Sequence, residues 1–325
     1  MNIFVGCVGH PDLCYSMYAL FEKRIGATVY VPLEGKDWEE RGISVRNLRE
    51  IQDAPMHVDE VCHLHIPSYG YTHRAITFEQ FLEIDFDVLV VTSWVNEEGF
   101  SRLREQYKPR SRYVRHIANA YELPQTTQNV LLSTLEPMPS GTNWIRHHPE
   151  HLEGYYPQAI EEKVIKTFSH RFPIQAEDLE AWGRFKSDLP EFAFRMHGDL
   201  GEDGRVLQEE MPEAVRSSMF VWHTKAVGGC GYVLRQALSC GKPCIVRRRY
   251  SHCYNALAIN LLYDGVNCID IDSEVRPIEE SIRLVKEWSE PGVYAERCRI
   301  VLEAFEKDVN FEAEALSIGK WLEGL

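Results

Sequence analysis

The stretch "MFVWHTKAVGGCGYVLRQALSCGKPCIV", Met219 to Val246, decides how this chain is read. An apolar run, "MFVW", leads into a glycine-rich loop; a helical segment, a Cys-Gly-Lys-Pro turn and a second apolar run, "PCIV", follow. Strand, loop, helix, turn and strand in that order form the unit from which a parallel α/β sheet is built. Gly228, Gly229 and Gly231 stand just before the helix. Glycine lets backbone approach a ligand closely and adopt φ > 0, and the free N–H groups of a helix start favour a diphosphate. Lys225 adds a positive charge ahead of the loop. The competing reading is a tight turn in which glycine serves packing alone. Both readings stand on the residues of the loop alone.

Outward from this stretch the same alternation recurs. "KVIKTFS", "EFAFRMHGD" and "NCIDID" read as further strands of a C-terminal series. At the other end, "NIFVGCVGH" is an apolar run closing in glycines. The helical pattern "PDLCYSMYALFEKRIG" and the strand "ATVYVPL" come next, so a second parallel α/β sheet begins at the N-terminus. "FDVLVVTSW" is a further buried strand, "SRYVRHIANA" and "NVLLSTLEP" are weaker ones, and "NEEGFSRLREQY" is a surface helix. Residues 137–158, rich in proline, glycine and histidine without a period, read as an interdomain segment. The expected organisation is an N-terminal parallel α/β domain over 1–150 and a C-terminal parallel α/β domain over 160–305. In the tail 306–325, Phe311, Ala315, Ile318 and Leu322 share one helical face, which is expected to pack back on the N-terminal domain. Two such sheets imply a cleft, with ligands beyond the carboxyl ends of the strands.

Bulk properties narrow the function classes. The chain has 325 residues, enough for two domains at roughly 100–200 residues each. Its net charge of −14 argues against a surface that grips nucleic acid throughout, though not against one local basic groove. Nine cysteines, an odd and scattered set, read as reduced intracellular thiols rather than a disulfide framework. "MNIFVGCVGH" lacks a basic n-region, and no apolar stretch approaches the ~18 residues of a membrane span. A soluble, cytoplasmic protein is expected, with peripheral membrane contact left open.

The C-terminal half resembles the nucleotide-sugar domain of GT-B glycosyltransferases, most of all the retaining family 4 group. The family turn A-x-x-C-G-x-P-x-I is matched by Ala237, Cys240, Gly241, Pro243 and Ile245. "DGVNCIDID" is similar to the family's D-G-x-N-G stretch through Asp264, Gly265 and Asn267, and "FRMHGD" to its strand ending in Gly198 and Asp199. "FSHRF" sets Arg171 where the family has its phosphate-contacting arginine. The resemblance covers residues ~163–272; over the N-terminal half it is architectural. It implies two Rossmann-like parallel α/β domains and a nucleotide diphosphate sugar, UDP-linked or otherwise, as co-substrate with no obligatory metal. The family's paired glutamates, however, fall on Gly228 and Gln236, Ala176 stands near the place of the usual lysine, and Lys225 replaces a usual serine. Glutamine keeps one acceptor oxygen for ribose hydroxyls, whereas Gly228 offers the sugar no side chain. The implied donor-binding set is Gly9, Arg171, His197, Lys225, Gly228, Gly229, Cys230, Gly231, Tyr232 and Gln236.

Gly9-His10, after the first strand, is similar to the Gly-His loop of inverting GT-B enzymes, whose histidine deprotonates an acceptor hydroxyl. Asp12 is close enough in sequence to orient it. Two other readings of His10 stand beside the catalytic one: a helix cap, and, in a retaining enzyme, a holder of the donor sugar. In "VRRRYSHCYN", Arg247 and Arg249 are expected to contact donor phosphates or an anionic acceptor such as modified DNA, against the alternative of a solvated loop. "CHLH" (62–65) and "HHPEH" (147–151) lack a second half at zinc spacing and are read as structural or acceptor-side. The expected function is glycosyl transfer to an acceptor hydroxyl. A catalytically silent nucleotide-sugar-binding protein and a sugar-nucleotide epimerase of the same fold are the alternatives.

Overall fold

A computed structural model describes residues 1–6, 11–33, 36–41, 43, 57–58, 63–66, 71–92, 96–119, 122–134, 137–150, 154–169, 172, 175–207, 209–224, 231–253 and 257–325. The chain forms two compact units, Met1–Leu152 with Asn310–Leu325, and Glu153–Val309.

In the first unit, β1 (Asn2–Gly6), α1 (Pro11–Tyr18), a π-helical turn (Ala19–Arg24) and β2 (Thr28–Pro32) make the opening β-α-β element. Then come α2 (Lys36–Glu39), β3 (His57–Val58), β4 (His63–Ile66), β5 (Tyr71–Ile76), α3 (Phe78–Glu83), β6 (Val88–Val91), α4 (Glu97–Tyr107), β7 (Arg112–Ile117), β8 (Asn129–Leu132) and β9 (Asn143–Arg146). Among the described residues the sheet has nine strands in the order β3-β4-β5-β2-β1-β6-β7-β8-β9. The pairs β3–β4 and β4–β5 are antiparallel; β5 pairs parallel with β2, and the parallel pairing continues to β9. All four residues of β6, "VLVV", are buried, as a central parallel strand covered on both faces requires. One side of the sheet carries an aromatic core of Phe4, Trp38, Phe78, Phe81, Phe86 and Phe100. Phe4 meets the Phe81 ring edge-on at 4.9 Å, a favoured geometry for paired rings. Gly6 has to be glycine because a Cβ there would lie 1.9 Å from Cζ of Phe100.

Two features depart from the sequence reading. The stretch 57–76, given no strand above, adds β3, β4 and β5 to the sheet. The stretch 137–158, read as an interdomain segment, contributes the edge strand β9. The tail forms α11 (Phe311–Glu323), whose Asn310 N-cap accepts from Ala313 N at 3.0 Å. It buries Ala315, Ile318 and Leu322 and packs on β9 and the π-helical turn. Arg24 grips both carboxylate oxygens of Glu150 at 2.7 Å and also pairs with Glu312, while His148 N and Nδ1 meet the two oxygens of Glu314 at 2.8 Å.

The second unit runs β10 (Val164–Thr167), α5 (Ala176–Asp188), β11 (Ala193–Met196), α6 (Met211–Arg216), β12 (Phe220–His223), α7 (Tyr232–Ser239), β13 (Cys244–Val246), α8 (Arg248–Cys253), β14 (Cys268–Asp270), α9 (Ile278–Trp288) and α10 (Pro291–Asp308). Its strands, all paired in parallel, lie in the order β11-β10-β12-β13-β14. Ile165, Phe172, Trp182, Phe185 and Trp222 lie at its apolar centre, with the Phe185 and Trp222 rings edge-on at 4.9 Å. Strand order reverses between β10 and β12, because β10 is followed on one side by β11 and on the other by β12. Ligands in open α/β sheets sit beyond the carboxyl ends of the strands at such a point. Among the described residues, no helix is long and apolar enough to cross a membrane.

Candidate functional site

Thr224 stands at the carboxyl end of β12, and Gly231 leads directly into α7. Gly231 has φ 75° and ψ 46°, a left-handed conformation that costs a residue with a Cβ about 1–2 kcal/mol. A Cβ on it would also lie 2.5 Å from Cβ of Ala258. Close approach and backbone sign therefore both demand glycine at this position. The first turn of α7 has no acidic side chain, so the partial positive charge of its N-terminus is not offset from within the helix. Tyr232 opens the helix half-buried, with the Arg235 guanidinium 5.1 Å from its ring centre. Gln236, one turn in, is 1% exposed.

His197 follows β11, its ring stacked on Phe168 at 5.5 Å and 14°. Its Nδ1 is buried and has no hydrogen-bond partner among the described residues. Burial lowers its pKa against the opposing pull of Asp203, which favours the neutral imidazole. Of the expected donor set, His197, Gly231, Tyr232 and Gln236 lie on the second unit, His197 directly after β11 and the other three at or within α7. Gly9, His10, Arg171, Lys225, Gly228, Gly229 and Cys230 lie outside the described residues.

Arg247 is a correction to the sequence reading. Expected at an anion, it is 4% exposed and its charge is taken up inside the protein. Its Nε lies 2.5 Å from Asp178 Oδ1, and its Nη1 lies 3.0 Å from Glu177 Oε1 and 3.4 Å from Asp272 Oδ1. Burial works against its charge, but the hydrogen bond and field of Asp178 outweigh it and hold the guanidinium pKa above its ordinary value. Burial pushes the Asp178 carboxyl up, against the downward pull of Arg247 and Gln175. Arg249 is more open, with 35% of its side chain exposed, and spans Glu177 Oε2 at 2.5 Å and Asp272 Oδ1 at 3.1 Å.

A polar centre next to Arg247 went unread in the sequence. Gln175 Nε2 donates to Asp178 Oδ2 at 2.6 Å and to Thr224 O at 2.7 Å. Thr224 Oγ1 accepts from Trp222 Nε1 at 3.2 Å. The one available hint was "QAEDLE", a polar cluster opening a helix soon after Arg171.

In the first unit, β7, β8 and β9 bring a second buried polar group to their carboxyl ends. His116 Nε2 lies 3.0 Å from Ser133 Oγ, which donates to His147 O at 2.8 Å. Burial, helped by the positive Arg115, pushes the His116 pKa down to about 3. His147 and His148 thus serve the packing of β9 and α11. Cys62 and His151 lie outside the described residues, and the side chains of His63 and His65 are not described. Among the described residues, no group of three or more His, Cys, Asp or Glu could hold a metal ion.

No protein-family description and no curated protein sequence matches the chain. Solved structures do match. HepE of Anabaena, in complex with UDP and glucose, covers 100% of this chain and 99% of its own at a TM-score of 0.65 and 12% identity. The fold is GT-B. Sucrose-phosphate synthase of Thermosynechococcus elongatus is similar to this GT-B chain over 100% of its length, and over 98% of the synthase, with a TM-score of 0.62 and 12% identity. An alpha-glucosyltransferase in complex with UDP-glucose and DNA containing an abasic site matches over 98% of both chains at 0.61 and 11%. Identity at this level establishes a shared fold, and function has to be argued from the site.

Proposed function

We propose that this GT-B chain is a glycosyltransferase that carries a sugar from a nucleotide diphosphate sugar to an acceptor hydroxyl, with the donor held on the second unit. The observation that carries the reading is Gly231. It is left-handed, pressed against Ala258, and set between the end of β12 and the acid-free start of α7. That arrangement leaves backbone N–H groups and a helix N-terminus for a diphosphate, in a fold whose solved neighbours include chains with UDP bound. In the reaction the bond from the sugar's anomeric carbon to the diphosphate oxygen breaks, and a bond to the acceptor oxygen forms. The diphosphate leaves with the electron pair and the acceptor proton passes to a base. Lys225, Arg171 and the amides of Gly228 to Gly231 are assigned to the leaving diphosphate, Gln236 to the ribose, and His10 to the acceptor proton or the sugar. Basic side chains with a helix N-terminus supply charge stabilisation without calling on a metal.

A second reading, a nucleotide-sugar-binding protein without turnover, rests on the replacement of both family glutamates by Gly228 and Gln236. Titration calorimetry with UDP, GDP, ADP and UDP-glucose tests the shared part of the two readings, and failure to bind any of them overturns both. Donor hydrolysis, measured with and without an acceptor pool that includes hydroxymethylated DNA, separates them. Turnover that His10→Ala abolishes removes the silent reading; tight donor binding with no sugar released removes the enzyme.

A further inference from the structure

We propose that Gln175 is a positioning residue for the donor diphosphate, holding together the two loops that flank the strand-order reversal of the second sheet. The inference rests on the donor reading above. Gln175 stands at the start of α5, the helix that follows β10, and Thr224 stands directly after β12. The loops after β10 and β12 bound the crevice in which such a sheet holds its ligand. Gln175 spans them, donating to Thr224 O at 2.7 Å and to Asp178 Oδ2 at 2.6 Å. Both hydrogens of its amide nitrogen are used.

The centre it belongs to is fully buried and paired. Asp178 is 0% exposed and Thr224 is 0% exposed. Asp178 takes Arg247 Nε on Oδ1 at 2.5 Å, and the neighbouring Thr224 hydroxyl helps to favour its charged form. Trp222 Nε1 fixes that hydroxyl from the other side at 3.2 Å. A buried carboxylate is costly unless paired and hydrogen-bonded, and here the amide that helps to satisfy it also holds the Thr224 carbonyl. Gln175 occupies the N-cap of α5, where Ser, Thr, Asp or Asn is preferred, and its side chain makes no bond to a backbone N–H of the helix. One amide hydrogen goes to the Asp178 carboxylate of α5 and the other crosses to the Thr224 carbonyl. Arg247 gains its place in the same scheme by acting through Asp178 rather than on an anion.

The test compares a ligand that carries the diphosphate with one that lacks it. UDP and uridine are titrated into the full chain, wild type and Gln175→Met, by calorimetry and by saturation-transfer NMR. Losing hydrogen bonds of this kind is expected to weaken UDP about five- to tenfold, with uridine affinity unchanged. Gln175→Glu, of the same size, faces a carboxylate to Asp178 and to the Thr224 carbonyl and is expected to weaken UDP further, again without affecting uridine. A parallel fall for UDP and uridine in both variants would mean a general loss of structure and overturn the proposal, as would wild-type UDP affinity in both. A wild type that binds no UDP defeats the donor reading itself, and the positioning role with it. That result is distinct from a wild type that binds UDP and is indifferent to residue 175.

Discussion

Gly231→Ala offers a quantitative check on the donor loop. The residue sits at φ 75° and ψ 46°, so alanine pays a left-handed strain of about 1–2 kcal/mol. Its new methyl would lie 2.5 Å from Cβ of Ala258, about 1 Å inside ordinary carbon–carbon contact, and relieving such overpacking costs about 1–3 kcal/mol. The sum is about 2–5 kcal/mol. The two parts separate by double mutation. Ala258→Gly in the Gly231→Ala background removes the clashing methyl and should recover about 1–3 kcal/mol, leaving the backbone strain. Gly231→Asn, which tolerates the left-handed region better, should keep the clash. Native-state hydrogen exchange of the β12 and α7 amides reports the local free energy without assuming that the two units unfold together. A Gly231→Ala protein within about 0.5 kcal/mol of wild type, or a Gly231–Ala258 pair with no coupling, would refute the geometry on which the phosphate reading stands. The same variant should bind UDP more weakly, because the helix start has to shift to accommodate the methyl.

Three further outcomes follow from particular contacts. The His116 pKa, pushed down to about 3, lies below its unfolded value of about 6.5, so its contribution to stability is complete above that value and is lost as pH falls towards 3. Lowering pH from 7 to 5 should cost the first unit about 2 kcal/mol through this residue, seen as a steeper acid dependence of urea unfolding in wild type than in His116→Gln; equal slopes would contradict it. Arg247→Leu leaves Asp178 buried without its guanidinium, Asp272 keeping only Arg249, and should destabilise the second unit by about 3–5 kcal/mol, read from hydrogen exchange of β13. Ile318→Ala removes a side chain with 0% exposure from the inner face of α11 and should cost about 2–5 kcal/mol, with increased protease cleavage of the tail; a silent substitution would mean that α11 does not pack as described.

What was legible in the sequence, and what was not, follows from how each element is buried. Strands β6, β12 and β13 are covered on both faces and appear as continuous apolar runs, "VLVV", "FVWH" and "CIV". Glycine before α7 was legible because a left-handed residue at a strand-to-helix junction has few alternatives. Strand β9 was not, because Asn143 and Trp144 on that sheet edge are exposed and proline and glycine flank it. Strand β4, "HLHI", carries histidines where a buried strand would carry aliphatic residues. The role of Arg247 was hidden for a different reason. Its partners Asp178 and Asp272 lie 69 and 25 positions away, and no local pattern in "VRRRY" tells an arginine aimed at an anion from one neutralised inside. Gln175 was hidden in the same way, since its bond to Thr224 spans 49 positions.

The side chains of α7 bear on Gln236, which stands where the resembled family has a glutamate. A glutamate at position 236, on a helix face only 1% exposed, would place a charge where desolvation is expensive unless a ligand hydroxyl or a cation compensates it. Glutamine avoids that cost in the ligand-free protein and keeps an acceptor for a ribose hydroxyl. With no acid in the first turn of α7 and Arg235 at the same end of the helix, the potential there is more positive than a glutamate-bearing version would give. On the donor reading proposed above, glutamine at position 236 puts no negative charge near the diphosphate, so binding should depend more on phosphate and less on sugar hydroxyls. Gln236→Glu therefore makes a directional prediction: the affinity for UDP relative to uridine should fall, because the restored carboxylate repels the diphosphate, and added salt should narrow the gap between variant and wild type. An unchanged UDP-to-uridine ratio would show that position 236 does not face the phosphate end of the site.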